Sequence, residues 1–315
     1  MNCPLPRKVI GQILNANAFT IEEVRGGISK QVYKIHTDAD PYMLYIWRRP
    51  YEGALTENKT EGANYLFADG FPYFVFNTKL LADLDIRVPQ ILQCGHEDDG
   101  DFDYAVVECF QGKSFQEYMD DGGDVAQYAD ALSALMGKLA NKKRGYFGPP
   151  MEKKSFDRNI SAEQLAFRHY KEELRIASAL DSQVADMQER IAGLLKDKLF
   201  AVKPTETPIY SLIHGELTPP HIFVMEDDSL ALIDIEAVKY FDMEYDWAVI
   251  ELMYNGTFSL PEMLDADRLA FYKLCLQVGY LSVAVDYVKN VDDKNEFFER
   301  LKDNKLSFFM DKLTN

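Results

Sequence analysis

The apolar pattern changes period near residue 108, and that change most constrains the fold. Before it, short β-branched and aromatic runs alternate with turn residues. Ile21-Glu22-Glu23-Val24, Val32-Tyr33-Lys34-Ile35, Tyr42-Met43-Leu44-Tyr45-Ile46-Trp47, residues 89–94 and residues 104–107 read as strands. The run 42–47 is almost wholly apolar or aromatic, which predicts a strand buried on both faces. Residues 50–70 read as an irregular polar insertion, and 74–84 as a helix. After Gly112 helical spacing takes over. Val125, Tyr128, Ala129, Leu132, Leu135, Met136 and Leu139 fall on one helix face. Two helical stretches follow over 161–200, and others over 245–255, 262–289 and 293–312. Between them, 222–225 and 230–234 are joined by Glu226-Asp227-Asp228-Ser229, a hairpin signature. A β-rich first third before an α-rich remainder predicts an α+β protein of two lobes, 1–108 and 109–315. A length of 315 residues agrees with two lobes.

A net charge of −17 repels nucleic acid and anionic membrane, so neither is an expected partner. Cys3, Cys94, Cys109 and Cys275 are far apart and make no metal spacing with the histidines, which predicts reduced thiols in a cytoplasmic protein. The N-terminal residues show no signal-peptide apolar core. No run approaches the ~18 apolar residues of a membrane helix. Oligomeric state is not encoded in any pattern we can read.

Chemistry concentrates in His214-Gly215-Glu216-Leu217-Thr218-Pro219-Pro220-His221 and in Leu232-Ile233-Asp234-Ile235-Glu236. Phosphoryl transfer from a metal-bound nucleotide needs one carboxylate to orient the acceptor hydroxyl and two ligands to hold the metal. Protein kinases write this as His-x-Asp-x-x-x-x-Asn, followed by a metal-binding Asp. Here Glu216 stands for the first Asp and His221 for the Asn. Glu216 is the candidate catalytic carboxylate, its reach longer than that of Asp by roughly 1.5 Å. Asp234 is the first candidate metal ligand, because an isolated Asp at the end of an apolar strand is costly unless bound or paired. Glu236 lies on the same face if the strand continues, and is a second candidate. His221 has three readings: ligand to a metal such as Mn2+, direct phosphate contact, or no ligand role with Glu236 in its place. Gly26-Gly27-Ile28-Ser29-Lys30 is a candidate phosphate-covering loop, in which Gly27 admits the backbone and Ser29 and Lys30 supply donors.

These blocks, with Tyr245-Asp246-Trp247-Ala248, resemble the aminoglycoside phosphotransferase and choline kinase-like family of small-molecule kinases. That family carries His-Gly-Asp-Leu-x-Pro-x-Asn, a hairpin, Ile-Asp-Trp-Glu and then Tyr-Asp-Leu-Ala. The resemblance implies a protein kinase-like fold with ATP or GTP between the lobes, Mg2+ or Mn2+ as the metal, and a small hydroxyl acceptor. It implies a hinge in Val106-Val107-Glu108-Cys109-Phe110-Gln111-Gly112, where the Glu108 carbonyl and the Phe110 N–H would meet the base. It implies a bracing role for His214 and a hydrogen-bonding role for Asp246. The chain departs from the family where Tyr45 falls at the phosphate lysine and where Phe74, Val75 and Phe76 replace the helix Glu. Lys30, Lys34, Arg48 and Arg49 are the substitute cations nearby. Glu172, Glu173, Asp242, Glu244 and Glu251 lie in stretches expected to line an acceptor pocket and suit a cationic acceptor. His36, His96 and His169 read as surface residues. The alternative is a weak or inactive kinase-like protein that binds a nucleotide or metabolite.

Overall fold

The computed structural model describes residues 3–24, 30–49, 62–98, 100–155, 157, 159–291 and 295–314. Helix α1 (Arg7–Leu14) leads into strands β1 (Phe19–Val24), β2 (Gln31–Thr37) and β3 (Tyr42–Arg48). Helices α2 (Ala63–Leu66) and α3 (Phe71–Ala82) follow, then β4 (Ile91–Glu97) and β5 (Phe102–Glu108). The five strands form one antiparallel sheet in the order β1-β2-β3-β5-β4.

Alternation of side chains along β3 decides what each face does. Leu44 and Ile46 pack with Tyr33, Ile35, Tyr104 and Val106 beneath Leu5 and Ile10 of the N-terminal segment. Tyr45 and Trp47 point the other way and join Ala105 and Val107 in the core shared with the helical region. The expectation of a doubly buried strand is met because α1 covers the outer face. That helix was not read from the sequence. Val9, Ile10, Ile13 and Leu14 do fall at helical spacing, but its eight residues are shorter than the ~11-residue window in which a helix is read.

Pro72 sits in the first turn of α3, where a missing N–H costs nothing. The helix therefore starts before the expected residue 74. Phe74 points inward and packs edge-on against Tyr45, with ring centroids 5.5 Å apart, and tilted against Trp47 at 5.2 Å. The two family departures on β3 and α3 thus meet each other as an aromatic pair.

Beyond the sheet come β6 (Lys113–Ser114), α4 (Phe115–Asp120), α5 (Ala129–Ala140), β7 (Lys143–Arg144), α6 (Ala162–Leu180) and α7 (Ser182–Ala201). Then follow β8 (Tyr210–Ile213), β9 (Ile222–Val224), β10 (Leu230–Leu232), β11 (Lys239–Phe241), α8 (Glu244–Met253), α9 (Ala266–Asn290) and α10 (Glu296–Thr314). The β9–β10 hairpin is as expected, with Asp228 accepting a positive φ at its turn. β6, β7, β8 and β11, of two to four residues each, are too short to carry a period. With β9 and β10 they form two small three-stranded sheets, β10-β9-β6 and β11-β8-β7, that carry the site loops. α9 is long and apolar enough to cross a membrane by length and composition, yet most of that stretch is buried inside the protein, which makes it a core helix. All four cysteines are unpaired.

Candidate active site

Three short segments build the site: the loop after β8, the turn that opens β9, and the loop after β10. Asp246, on α8, fixes the first. Its two carboxylate oxygens accept the backbone N–H groups of His214 and Gly215, each at 2.8 Å. Burial raises the Asp246 carboxyl to about 6. The His214 ring is fully buried and holds the same loop. Its Nδ1 accepts the Glu216 N–H at 3.2 Å, so Nε2 carries the proton and donates to the Ile233 carbonyl at 3.0 Å. Burial lowers this imidazole to about 3. His214 therefore braces the loop that presents Glu216. Gly215 has φ 92°, and a Cβ there would lie 2.5 Å from Lys239 Nζ and 2.8 Å from the Ala237 carbonyl oxygen. Only glycine fits.

Glu216, His221 and Asp234 converge. One ligand atom from each lies within 4.8 Å of the others. His221 Nδ1 lies 2.8 Å from the Glu216 carbonyl oxygen and 3.1 Å from Thr218 Oγ1. Its Nε2 faces Asp234 Oδ2 at 3.4 Å. Asp234 has φ 58° and ψ 50°, the left-handed conformation that Asp tolerates at some cost and that recurs at functional sites. Burial raises the Glu216 carboxyl to about 7, and the negative charge of Asp234 adds to the rise. Burial acts on Asp234 too, but Lys30 and His221 outweigh it and hold its carboxyl below the usual range.

Lys30 closes the site from the sheet. Its ammonium lies 2.5 Å from Asp234 Oδ1 and 2.6 Å from Glu236 Oε1. It also passes over the Tyr45 ring, 5.4 Å from the centroid. Burial opposes its charge, but Glu236 and Asp234 more than restore it and raise its pKa. Thus a lysine from the start of β2 occupies the space above Tyr45, the position where the strand lysine was missing. Glu236 is its second partner and is supplied by the loop after β10, whereas the family pattern has its acid on the helix where this chain carries Phe74, Val75 and Phe76. α3 contributes Asn77 instead, whose side-chain amide donates to the Ile235 and Glu236 carbonyls at 2.8 and 3.2 Å. Glu236 Oε2 is buried without a hydrogen-bond partner.

Of the other sequence-derived residues, Gly27 and Ser29 lie outside the described residues. Arg49 grips Asp103 at 2.9 and 3.1 Å, and Arg48 is exposed at the strand end. Glu108 ends β5, its side chain bonded to Arg87 at 3.0 Å and to the Gln90 N–H at 3.3 Å. The Phe110 ring packs on Phe223 at 5.7 Å. A Cβ on Gly112 would lie 2.0 Å from the Val224 carbonyl oxygen, so the linker after β5 passes directly over β9.

Sequence reasoning missed Lys239. It is buried, and its ammonium has no hydrogen-bond partner. Burial lowers its pKa to about 8, although Asp246 and Glu216 pull the other way. A single lysine in the apolar run Val238-Lys239-Tyr240-Phe241 was the signal available. The reading of His169 as a surface residue is corrected: its ring packs at a tilt against Phe67 at 4.9 Å, Nδ1 is buried without a hydrogen-bond partner, and burial lowers it to about 4. His96 is exposed, as read, and pairs with Asp103 at 3.0 Å. The acids expected to face a cationic acceptor all have partners. Glu172 holds Arg175, Glu173 holds Ser282, Asp242 holds Tyr272 and Arg268, Glu244 holds the Asp265 N–H, and Glu251 holds Lys273.

The donor set fits a divalent cation. Two carboxylates and an imidazole converge from loops held by buried hydrogen bonds, and the Lys30 ammonium pairs with Asp234 beside them. A five-stranded antiparallel sheet over a helical region, with this site at their junction, defines the two-lobed protein kinase-like fold. The chain belongs to the phosphotransferase enzyme family, whose pattern matches residues 20–284. No curated protein matches it. Among solved structures it is similar to a thermostable mutant of aminoglycoside phosphotransferase APH(4)-Ia, at 12% identity over 96% of this chain and 99% of that one, TM-score 0.64. It is similar to spectinomycin phosphotransferase APH(9)-Ia, solved with ADP and spectinomycin, at 11% identity over 98% of each chain, TM-score 0.62. It is also similar to choline kinase LicA from Streptococcus pneumoniae, at 14% identity over 97% of this chain and 99% of that one, TM-score 0.55.

Proposed function

We propose that the protein is a cytoplasmic small-molecule kinase that moves the γ-phosphoryl of ATP or GTP to a hydroxyl of a small acceptor. The single observation that carries this reading is Lys30, placed between Asp234 and Glu236 and beside Glu216 and His221. A cation for phosphate, acids for a metal and a carboxylate for the acceptor are then all at one point.

The lobes divide at 108/109, and the base lies at the linker, against Val107 and Phe110, hydrogen-bonded to the Glu108 carbonyl and the Phe110 N–H. Lys30 neutralises the phosphates, and Gly27 and Ser29 are the further phosphate contacts read from the sequence. Asp234, with His221 or Glu236, holds Mg2+ or Mn2+, which when bound draws charge from the phosphate oxygens. Glu216 accepts a hydrogen bond from the acceptor hydroxyl and aligns its oxygen with phosphorus. The loop held by Asp246 and His214 fixes that carboxylate before substrate arrives, which is where positioning contributes most. The new O–P bond forms as the bond to the leaving nucleoside diphosphate breaks. The hydroxyl proton passes to Glu216 or to solvent. An acceptor of the aminoglycoside or amino-alcohol kind is in keeping with similarity to kinases of those compounds and with the net charge of −17. Glu172, Glu173, Asp242, Glu244 and Glu251 are engaged by protein partners and do not add to that case.

Isothermal titration of ATP and GTP, followed by a phosphotransfer screen over aminoglycosides, macrolides, amino alcohols and sugars, tests the reading. It expects metal-dependent nucleotide binding and one phosphorylated acceptor class. Nucleotide binding without transfer to any acceptor would favour the inactive binder, which Glu216 and His221 also suggest.

A further inference from the structure

We infer that Glu216, His221 and Asp234 form a mixed nitrogen–oxygen site that takes a first-row transition ion, Mn2+, Co2+ or Zn2+, in preference to Mg2+. This rests on the phosphotransferase reading of the same site.

The tautomer of His221 carries the inference. A carbonyl oxygen can only accept, so the 2.8 Å contact with the Glu216 carbonyl fixes a proton on His221 Nδ1. Ligating histidines are typically held in this way, the second nitrogen donating to a carbonyl or carboxylate. Nε2 then turns toward Asp234 Oδ2 at 3.4 Å. A lone pair facing a carboxylate oxygen repels it unless positive charge sits on the ring or between the two. A proton would satisfy that pair alone. A divalent ion satisfies the pair and the Glu216 carboxylate together, and all three donors already lie within 4.8 Å of one another. Donors around one ion sit within twice the metal–ligand distance, roughly 4.0–4.4 Å for nitrogen and oxygen ligands, so only a small contraction is needed.

Asp234 divides its oxygens: Oδ1 faces Lys30, and Oδ2 faces His221. The ammonium and the metal therefore need not compete for one atom. The longer side chain of Glu216 matters here as well. One of its oxygens can reach the ion while the other remains for the acceptor hydroxyl. Mg2+ prefers an all-oxygen octahedron and retains water, whereas imidazole suits softer first-row ions.

The test is pulsed electron paramagnetic resonance of Mn2+ bound to the full chain, alone and with a non-hydrolysable ATP analogue, alongside competition by Mg2+. The expected result is imidazole nitrogen modulation in the wild type, lost in His221→Asn. Mn2+ should bind at least ~10-fold more tightly than Mg2+, and His221→Asn should erase most of that ratio. Glu216→Gln should weaken both ions. Bound Mn2+ with no nitrogen coupling, or an unchanged ratio in His221→Asn, would overturn the inference. So would the absence of Mn2+ binding under both conditions. If nucleotide binds with Mg2+ but nitrogen coupling is absent, this inference fails and the kinase reading stands. If nitrogen coupling appears but no nucleotide binds, the reverse holds. Circular dichroism on each variant separates loss of the site from loss of the fold.

Discussion

Lys30 Nζ and Asp234 Oδ1 lie 2.5 Å apart across the junction between the sheet and the helical region. The ammonium also holds Glu236 at 2.6 Å and is almost fully buried. Removing one partner of a buried ion pair leaves uncompensated charge and costs ~3–5 kcal/mol. Lys30→Met should therefore lower the unfolding free energy by that order. Adding Glu236→Gln should recover part of the loss, since it removes one stranded charge. Urea unfolding of both variants measures this. Additive losses would mean that the two side chains do not share a charge network.

Restoring the family's lysine should not repair anything. Tyr45→Lys would bring a second ammonium beneath Lys30 and remove a ring packed on Phe74 and Trp47. Loss of a buried aromatic costs ~3 kcal/mol or more, before like-charge repulsion. The variant should melt earlier and bind nucleotide no better. Tyr45→Phe should leave both properties unchanged, because the ring and not the hydroxyl carries the packing.

Gly215→Ala should disable the site. The backbone there is left-handed, and the added methyl would strike Lys239 Nζ and the Ala237 carbonyl. Metal and nucleotide binding should both fall, measured by titration calorimetry, because Glu216 follows immediately in the chain. Unchanged binding would show that the loop tolerates a shift.

Acid should destabilise the protein through His169. Burial holds its pKa near 4 in the fold against 6.5 in the open chain. Between those values the unfolded state binds more protons, so stability rises with pH across the window and is lost as pH falls from 6.5 to 4. At full extent the effect is ~3 kcal/mol. Comparing wild type with His169→Gln from pH 7 to 4 should show a shallower acid slope in the variant. Equal slopes would mean that another group, such as His214, carries the acid sensitivity.

Much of the fold was legible because its elements have clear periods. β3, the 222–234 hairpin and the long helices α6, α7 and α9 fall where alternation or helical spacing put them. The two- to four-residue strands escaped because no period fits in so few residues, and α1 because its eight residues fall short of the window in which a helix is read. The acids and histidines of the site could be read from spacing, since Glu216, His221 and Asp234 all sit on loops of one local unit. The substitute for the strand lysine could be narrowed only to four cations, because it is a close approach between distant segments that brings Lys30 to Asp234. Asn77 was invisible for the same reason, since it acts on a backbone far away in sequence, and Lys239 left only the trace of one lysine in an apolar run. Tyr45 and Phe74 looked like two losses and are one exchange, an aromatic pair where an ion pair was expected.

The most direct test is calorimetric titration of ATP and GTP into wild type and Asp234→Asn, each with Mg2+, with Mn2+ and with chelator. The account predicts metal-dependent binding in the wild type. In Asp234→Asn the metal dependence should be lost while the fold is retained by circular dichroism. Equal metal-dependent affinity in the two proteins, or no nucleotide binding by the wild type under any condition, would contradict it.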